Sequence, residues 1–123
     1  MSGTVMDELI ESIRKFAKER DWEKFHSPKN LAMALSVEAS EILEHFQWLT
    51  QAESRSLSPE KLAEVKDEIG DVLVYLLNLA DKLGIDPIEA ATGKMVKNAE
   101  KYPISAVHGR AVKHTQIKPE TER

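Results

Sequence analysis

Apolar residues recur along most of this chain at intervals of three and four, the spacing of a helix with one buried face. We find no convincing run with the two-residue alternation of a strand. The pattern predicts four helices, at about residues 4–20, 27–49, 58–83 and 86–103. The polar stretch between the second and third helices, residues 50–57, is predicted to be a loop.

Residues with strong capping preferences mark the ends of these segments. Ser-Pro pairs at 27–28 and 58–59 each place an N-cap serine before a proline at the first helical position, where its missing N–H costs nothing. Gly84 is predicted to follow the last turn of the third helix. Asp86 is predicted to cap the fourth helix, with Glu89 in capping-box position.

These elements predict an all-α fold, a four-helix bundle-like domain over residues 1–104, followed by a polar tail, 105–123, that is partly extended or disordered. The third helix is apolar over much of its circumference. A single copy of so small a domain would struggle to cover that surface. We therefore expect a homo-oligomer that associates through its helices.

The composition of the chain excludes several kinds of functional site. The 123 residues suffice for one domain without disulfides or zinc, and the absence of cysteine excludes thiolate metal sites and cysteine nucleophiles. A net charge of −4 and a pI near 5.6 argue against a broad nucleic-acid surface. No apolar run approaches the ~18 residues of a membrane span, and no leader pattern opens the chain. We expect a soluble, cytoplasmic protein with neither nucleic acid nor membrane as a partner.

Two pairs of carboxylates lie beside the apolar stripes rather than opposite them. Glu38 and Glu41 are three residues apart on the second helix, and Glu68 and Asp71 are three apart on the third. Four such groups in one small volume would repel one another unless divalent cations lay between them, and all-oxygen ligation suits Mg²⁺ or Mn²⁺. With 21 acidic residues in the chain, ordinary surface acids remain an alternative.

Other polar and aromatic residues suit a phosphorylated nucleoside. Lys94, Asn98 and Lys101 fall on one stripe of the fourth helix and could donate to phosphate oxygens, although lysines are common near helix C-termini. The aromatic residues near the acids in sequence could stack on a base or belong to the core. A ferritin-like di-iron centre would need Glu-x-x-His motifs, and His does not follow the acids at that spacing, which favours a redox-inert metal.

Three segments, ERDWEKFHSPKN at 19–30, LSVEASE at 35–41 and FQW at 46–48, resemble the MazG-like all-α nucleotide pyrophosphohydrolases. Their nearest likeness is to the dCTP pyrophosphatase branch. EIGDVLVY at 68–75 is similar to the second acidic motif of the family, and KMVKNAEKYP at 94–103 to its C-terminal signature. The loop at 50–57 and the tail depart from the family pattern, which leaves the preferred base and sugar open.

The resemblance implies hydrolysis of a nucleoside triphosphate between its α- and β-phosphates, in a tetramer built as a dimer of dimers. It implies that Mg²⁺, or Mn²⁺, is held by Glu38, Glu41, Glu68 and Asp71. It implies that the substrate is bound by Trp22, His26, Asn30, Trp48 and Tyr75 around the nucleoside and by Lys94, Asn98, Lys101 and Tyr102 at the phosphates. We expect Glu41 and Glu38 to be catalytic, with Glu41 closest to the attacking water.

Other functions fit the same residues. An all-α dUTPase or a phosphoribosyl-ATP pyrophosphohydrolase would have the same two pairs of acidic residues. A non-catalytic module could sense a nucleotide without cleaving it, and an oligomeric helical scaffold could carry the acids on its surface. If the enzymatic interpretation holds, we expect a role in cleaning the nucleotide pool of dCTP or modified pyrimidine triphosphates.

Overall fold

A computed structural model describes residues 3–118, and every regular element in this part of the chain is helical. The all-α prediction is confirmed. The chain divides into two compact units, Met1–Ile85 and Asp86–Arg123. The first contains α1 (Val5–Glu19), α2 (Pro28–Phe46), α3 (Gln51–Ser54) and α4 (Pro59–Lys82), with a 3₁₀ turn at Glu23–Phe25. The second contains α5 (Pro87–Lys101) and α6 (Ile104–Val107), with a 3₁₀ turn at His114–Gln116.

The predicted serine caps of α2 and α4 are confirmed. The hydroxyl of Ser27 accepts a hydrogen bond from the backbone N–H of Asn30 at 3.2 Å, and that of Ser58 accepts one from the N–H of Lys61 at 3.1 Å. In each helix the proline occupies the first turn, as predicted. These local interactions determine where α2 and α4, the two helices that carry the acidic pairs, begin.

The structure corrects the prediction that residues 50–57 form a loop. Thr50 and Glu53 make a reciprocal capping box, in which each side chain bonds the backbone N–H of the other residue, and α3 follows from it. Thr50 has an extended backbone, so the chain must leave the preceding helix before it, and α2 ends at Phe46 rather than near residue 49. The Thr-x-x-Glu signal was present in the sequence and was overlooked.

The third and fourth predicted helices also begin and end close to the predicted positions. Gly84 follows α4 with φ +66, a conformation in which a Cβ would be strained. Asp86 caps α5 by accepting from the N–H groups of Ile88 and Glu89 at 2.9 and 3.0 Å. The reciprocal bond expected from the Glu89 side chain is not formed among the described residues.

The core of the first unit lies where α2 packs on α4, with α1 also contacting α4. Its buried apolar side chains are those of Ala17, Leu31, Val65, Leu77 and Ala80. Asn78 is the only polar side chain buried in the described part of the chain. The remaining apolar surface of α4 stays exposed, notably at Leu62, Ile69, Leu73, Val74 and Leu76. The prediction that one copy cannot cover α4 is consistent with this exposure.

In the second unit, Ala106 of α6 is buried and Tyr102 packs edge-on against His114, with ring centroids 6.3 Å apart. The two short helical segments, at 104–107 and 114–116, interrupt the tail that was predicted to be partly extended. The predicted tail also includes residues 119–123, which lie outside the described residues. Over residues 3–118, no helix combines the length and the apolar character needed to cross a bilayer.

Candidate metal centre

Three of the four predicted carboxylate ligands meet where α2 packs against α4. Glu38, Glu41 and Glu68 each place an oxygen within 4.8 Å of the others. Glu38 and Glu41 project together because they are one helical turn apart on α2, and Glu68 approaches them from α4. The three side chains are half-buried. A contact between residues this far apart in sequence is the arrangement that the acidic pairs suggested.

Asp71 is exposed and lies outside this 4.8 Å cluster. Its charge is nevertheless near enough to raise the pKa of both Glu38 and Glu68. The structure therefore brings oxygens of three of the four predicted ligands within 4.8 Å of one another, and the fourth acts on them through its charge.

Burial and crowding disfavour ionisation of Glu38. Loss of solvent at the half-buried carboxyl is the largest cause, followed by its hydrogen bond with Glu41 and by the charges of Glu41, Asp71 and Glu68. Together they raise the pKa of Glu38 from 4.5 to about 7. This acid therefore holds a proton well above the pH at which a surface glutamate loses one.

The neighbouring acids also raise the pKa of Glu68. Its hydrogen bond with Glu41 is the largest cause of a raised pKa, and desolvation and the charges of Glu41 and Asp71 act in the same direction. The positive charge that His45 carries when protonated opposes them. Glu41 thus raises the pKa of both of the other carboxyls, and its oxygen lies within 4.8 Å of theirs.

Two buried oxygens in this cluster lack a hydrogen-bond partner, Glu38 Oε2 and Glu68 Oε2. An unpartnered buried carboxylate oxygen is costly, and a cation would satisfy both atoms. The donor set is made only of carboxylate oxygens, the kind of ligand that Mg²⁺ and Mn²⁺ prefer. The residues present thus fit a divalent metal ion.

His45, one helical turn after Glu41 on α2, borders the acids on the side of α4. Its Nε2 lies 3.9 Å from a Glu68 oxygen, and its Nδ1 lies 3.7 Å from Glu64 and 3.4 Å from the amine of Lys61. Lys61 also pairs with Glu64 at 3.3 Å. Lys61 and Glu64 were not singled out in the sequence, where they read as ordinary exposed positions of a charged helix face.

The predicted nucleoside-binding aromatics differ in exposure. Trp48, just beyond α2, is 87% exposed, whereas Trp22 packs edge-on against Phe16 with ring centroids 5.7 Å apart. Tyr75 on α4 is half-buried. Flat side chains with exposed faces suit stacking on a base.

His26 and Asn30 are joined to other groups of the first unit. The ring Nδ1 of His26 lies 3.2 Å from the amide nitrogen of Asn78, and the amide of Asn30 donates to the carbonyl of Phe25 at 3.0 Å. Sequence reasoning missed Asn78, although an amide inside the apolar run of the third helix was a visible signal.

The predicted phosphate-binding residues belong to the second unit. Lys94, Asn98 and Lys101 lie on α5, and Tyr102 caps its C-terminus. The nearby amine of Lys101 and its positive charge lower the pKa of Lys94. Positive charge is thus concentrated on this helix face. The predicted role of these side chains at the phosphates stays a prediction.

Comparison with known proteins identifies the family of this chain. The sequence model of the MazG-like family matches residues 33–117. The chain is 40% identical over 114 residues to proteins named dCTP pyrophosphatase 1 from Rattus norvegicus, Mus musculus and Homo sapiens, an alignment that covers 88% of this chain and 67% of each relative. A crystal structure of a pyrophosphatase from Archaeoglobus fulgidus is 45% identical, with a TM-score of 0.78 over 84% of this chain and 96% of that one. The match over more than half of the chain, and the identity to these relatives, show that the chain belongs to the MazG-like family.

Proposed function

We propose that this chain is a nucleoside triphosphate pyrophosphohydrolase that converts a ribo- or deoxyribonucleoside triphosphate and water to the monophosphate and pyrophosphate. The proposed preference is for dCTP or a modified pyrimidine deoxynucleotide, and the proposed role is nucleotide-pool sanitation in the cytoplasm. One observation carries the proposal. A half-buried cluster of three carboxylates with two unpartnered oxygens occupies the α2–α4 contact of a chain 40% identical to proteins named for dCTP hydrolysis.

Glu38, Glu41, Glu68 and Asp71 are the proposed holders of Mg²⁺, or of Mn²⁺. Support for the first three is that their oxygens lie within 4.8 Å of one another and that two of these side chains have an unpartnered oxygen. Support for Asp71 is its electrostatic effect on Glu38 and Glu68. When bound, the cation supplies charge neutralisation for the triphosphate and Lewis acidity at a phosphate oxygen.

Glu41 is the proposed residue that orients the attacking water and accepts its proton. It raises the pKa of both Glu38 and Glu68, which supports a central position for Glu41 among the three acids. A general base must lie within hydrogen-bond reach of the proton that it accepts, and a central position satisfies that requirement for a water placed among the acids. Glu38, with its pKa raised to about 7, must give up its proton before it can ligate a cation at neutral pH.

Lys94 and Lys101 are proposed to offset the charge that develops on the departing pyrophosphate. The lowered pKa of Lys94 reflects the positive charge already gathered on α5, which an anionic ligand would neutralise. Asn98 and Tyr102 would add neutral donors to the same phosphates.

The nucleoside is proposed to lie among side chains of the first unit. Trp48 and Trp22 present exposed aromatic surface for stacking, and Tyr75 lies one helical turn after Asp71 on α4. His26 and Asn30 would add polar contacts. This arrangement lets the aromatic faces supply affinity while hydrogen bonds choose the base.

We also propose that the active form is a homo-oligomer, a tetramer built as a dimer of dimers. Leu62 and Ile69 of α4 are 58% and 55% exposed, and Met33 and Val37 of α2 are 56% and 57% exposed. Apolar exposure on this scale along two long helices is uncommon in a monomer.

The experiment is a panel of dNTPs and NTPs incubated with Mg²⁺, with pyrophosphate scored separately from orthophosphate. We expect pyrophosphate from a small set of nucleotides that includes dCTP, and loss of that release in Glu38→Gln. Glu44→Gln is the matched control, because it makes the same change at an exposed position of α2. Binding without pyrophosphate release would point to a nucleotide sensor, and a preference for dUTP or phosphoribosyl-ATP would reassign the substrate.

A further inference from the structure

Asn78 is an amide placed in an apolar core. It is 6% exposed, and its neighbours on α4 include the buried Leu77 and Ala80. Burying an amide costs free energy unless its polar atoms find partners. The partner here is a ring nitrogen of His26, 52 residues away in the sequence, at 3.2 Å. The buried amide is therefore directed at one side chain in the segment between α1 and α2.

The backbone that carries His26 is held in place by separate interactions. His26 follows the 3₁₀ turn at Glu23–Phe25, and its own N–H donates to the carbonyl of Glu23 at 3.1 Å. The Asn30 amide donates to the carbonyl of Phe25, the residue immediately before His26, at 3.0 Å. These two bonds hold the peptide group between Phe25 and His26, and Asn78 contacts the ring that this backbone carries.

An amide nitrogen can only donate a hydrogen bond, so the Nδ1 of His26 that faces it must be the acceptor. In a neutral imidazole with Nδ1 as acceptor, the hydrogen is on Nε2. Nε2 makes no hydrogen bond to another group in the described part of the chain. In this tautomer, the half-buried ring of His26 keeps one N–H donor, at Nε2, for a ligand.

We propose that Asn78 is a positioning residue that holds His26 in the Nε2–H tautomer, so that His26 donates a hydrogen bond to an acceptor oxygen of the bound nucleotide. The nucleotide half of this statement rests on the proposed function, whereas the tautomer half does not. The acceptor is either a phosphate oxygen or the carbonyl oxygen of a pyrimidine base, since both can accept from an imidazole N–H.

The tautomer is tested on the free protein by long-range ¹H–¹⁵N NMR of ¹⁵N-histidine-labelled protein in alkaline buffer, where imidazole rings are neutral. Comparison with His26→Gln identifies the signals of the His26 ring among the four histidines. We expect the Nε2–H pattern in the wild type and its loss or mixing with the other tautomer in Asn78→Leu. An Nδ1–H pattern in the wild type, or an unchanged pattern in Asn78→Leu, overturns the proposal.

Two variants separate positioning from folding. Asn78→Leu replaces the amide with an apolar side chain of similar shape. Asn78→Asp replaces the donor with an acceptor and should favour the opposite tautomer. If the buried carboxylate of Asn78→Asp prevents folding, Asn78→Leu alone decides. The fold and the acidic cluster are checked by circular dichroism and by Mg²⁺ binding, which we expect to be unchanged because Glu38 and Glu41 are untouched.

The nucleotide half is tested by kinetics across the dNTP panel. We expect Asn78→Leu to raise KM about three- to tenfold, the range for one hydrogen bond, with kcat nearly unchanged. A rise shared by all accepted nucleotides assigns the acceptor to the phosphates, and a rise confined to some bases assigns it to the base. An unchanged KM for every nucleotide overturns this half. If the wild type hydrolyses no nucleotide, the proposed function fails while the NMR result still decides the tautomer.

Discussion

The guanidinium of Arg14 in α1 donates to both carboxylate oxygens of Asp81 near the end of α4, with Nε 2.9 Å from Oδ2 and Nη2 bonded to Oδ1. Arg14 also pairs with Glu11 of its own helix. The Asp81 side chain is 16% exposed and that of Arg14 is 50% exposed. The bidentate pair therefore joins α1 to the helix that carries Glu68 and Asn78, at the edge of the core.

Asp81→Asn should lower the free energy of unfolding at pH 7 by about 1 kcal/mol, a modest value because Arg14 remains half in water. Hydrogen bonding by Arg14 holds the pKa of Asp81 below its usual 3.8. A depressed pKa stabilises the fold above about pH 4 and loses that effect as the pH falls through the folded value. Urea titrations at pH 7 and pH 3 should show a smaller difference between the two pH values in the variant.

Glu11→Gln is the control for this pair, because the Glu11 side chain is 69% exposed and should contribute little. Equal losses of stability in Glu11→Gln and Asp81→Asn would mean that the pair between α1 and α4 stabilises the fold no more than an exposed pair within α1.

Without metal, the protein should become less stable as the pH rises from about 4.5 to above 7. The raised pKa of Glu38 means that the folded state binds a proton which the unfolded chain has already lost, so the stabilisation present below pH 4.5 disappears as the pH passes about 7. We expect Glu38→Gln to flatten this dependence and to gain about 1–2 kcal/mol at pH 8, because partial exposure keeps the effect below the ~3 kcal/mol of the full shift.

Thermal melting in a metal-chelating buffer from pH 5 to pH 8 measures this dependence, with Glu44→Gln as the matched surface control. A wild-type melting temperature that stays level or rises over this range would show that Glu38 is not strained by its neighbours.

Mg²⁺ should stabilise the wild type more than a variant that lacks one of the proposed carboxylate ligands. A cation among the carboxylates binds only the folded protein, which stabilises it by about 2.7 kcal/mol at a hundred times the dissociation constant. We expect millimolar Mg²⁺ to raise the melting temperature of the wild type at pH 8 and to have little effect on Glu68→Gln. Asp67→Asn alters the adjacent exposed acid of α4 and should respond like the wild type. An equal response in all three proteins would place Mg²⁺ elsewhere.

Trp48→Ala should separate substrate binding from stability. Trp48 is 87% exposed, so its removal should change stability by less than about 0.5 kcal/mol, whereas loss of a stacking surface should raise KM about tenfold or more. Trp22→Ala is the comparison, since Trp22 packs against Phe16 and should lose about 1 kcal/mol of stability. A large loss of stability in Trp48→Ala with unchanged KM would instead place Trp48 in a contact between copies.

Local signals in the sequence were sufficient to locate most of the helices. Ser27, Ser58 and Asp86 each cap the helix that they were predicted to cap, and Gly84 follows the last turn of α4 as predicted. These interactions were predictable because they involve residues only a few positions apart. The error at residues 50–57 was of the same local kind, since the Thr50 capping box could have been predicted. The acidic pairs were likewise visible as pairs, since one helical turn separates their members.

Distances between helices depended on the tertiary structure. Whether Glu68 or Asp71 reaches Glu38 depends on how α4 is rotated and shifted along α2, and the structure brings Glu68 within 4.8 Å while Asp71 acts through its charge. The contact between Asn78 and His26 depends on the same packing. By itself the sequence determined the helices, their amphipathic faces and the likeness to the MazG-like family. Side-chain packing decided the rotation and register of the helices, which periodicity leaves free, and so it decided which polar groups meet.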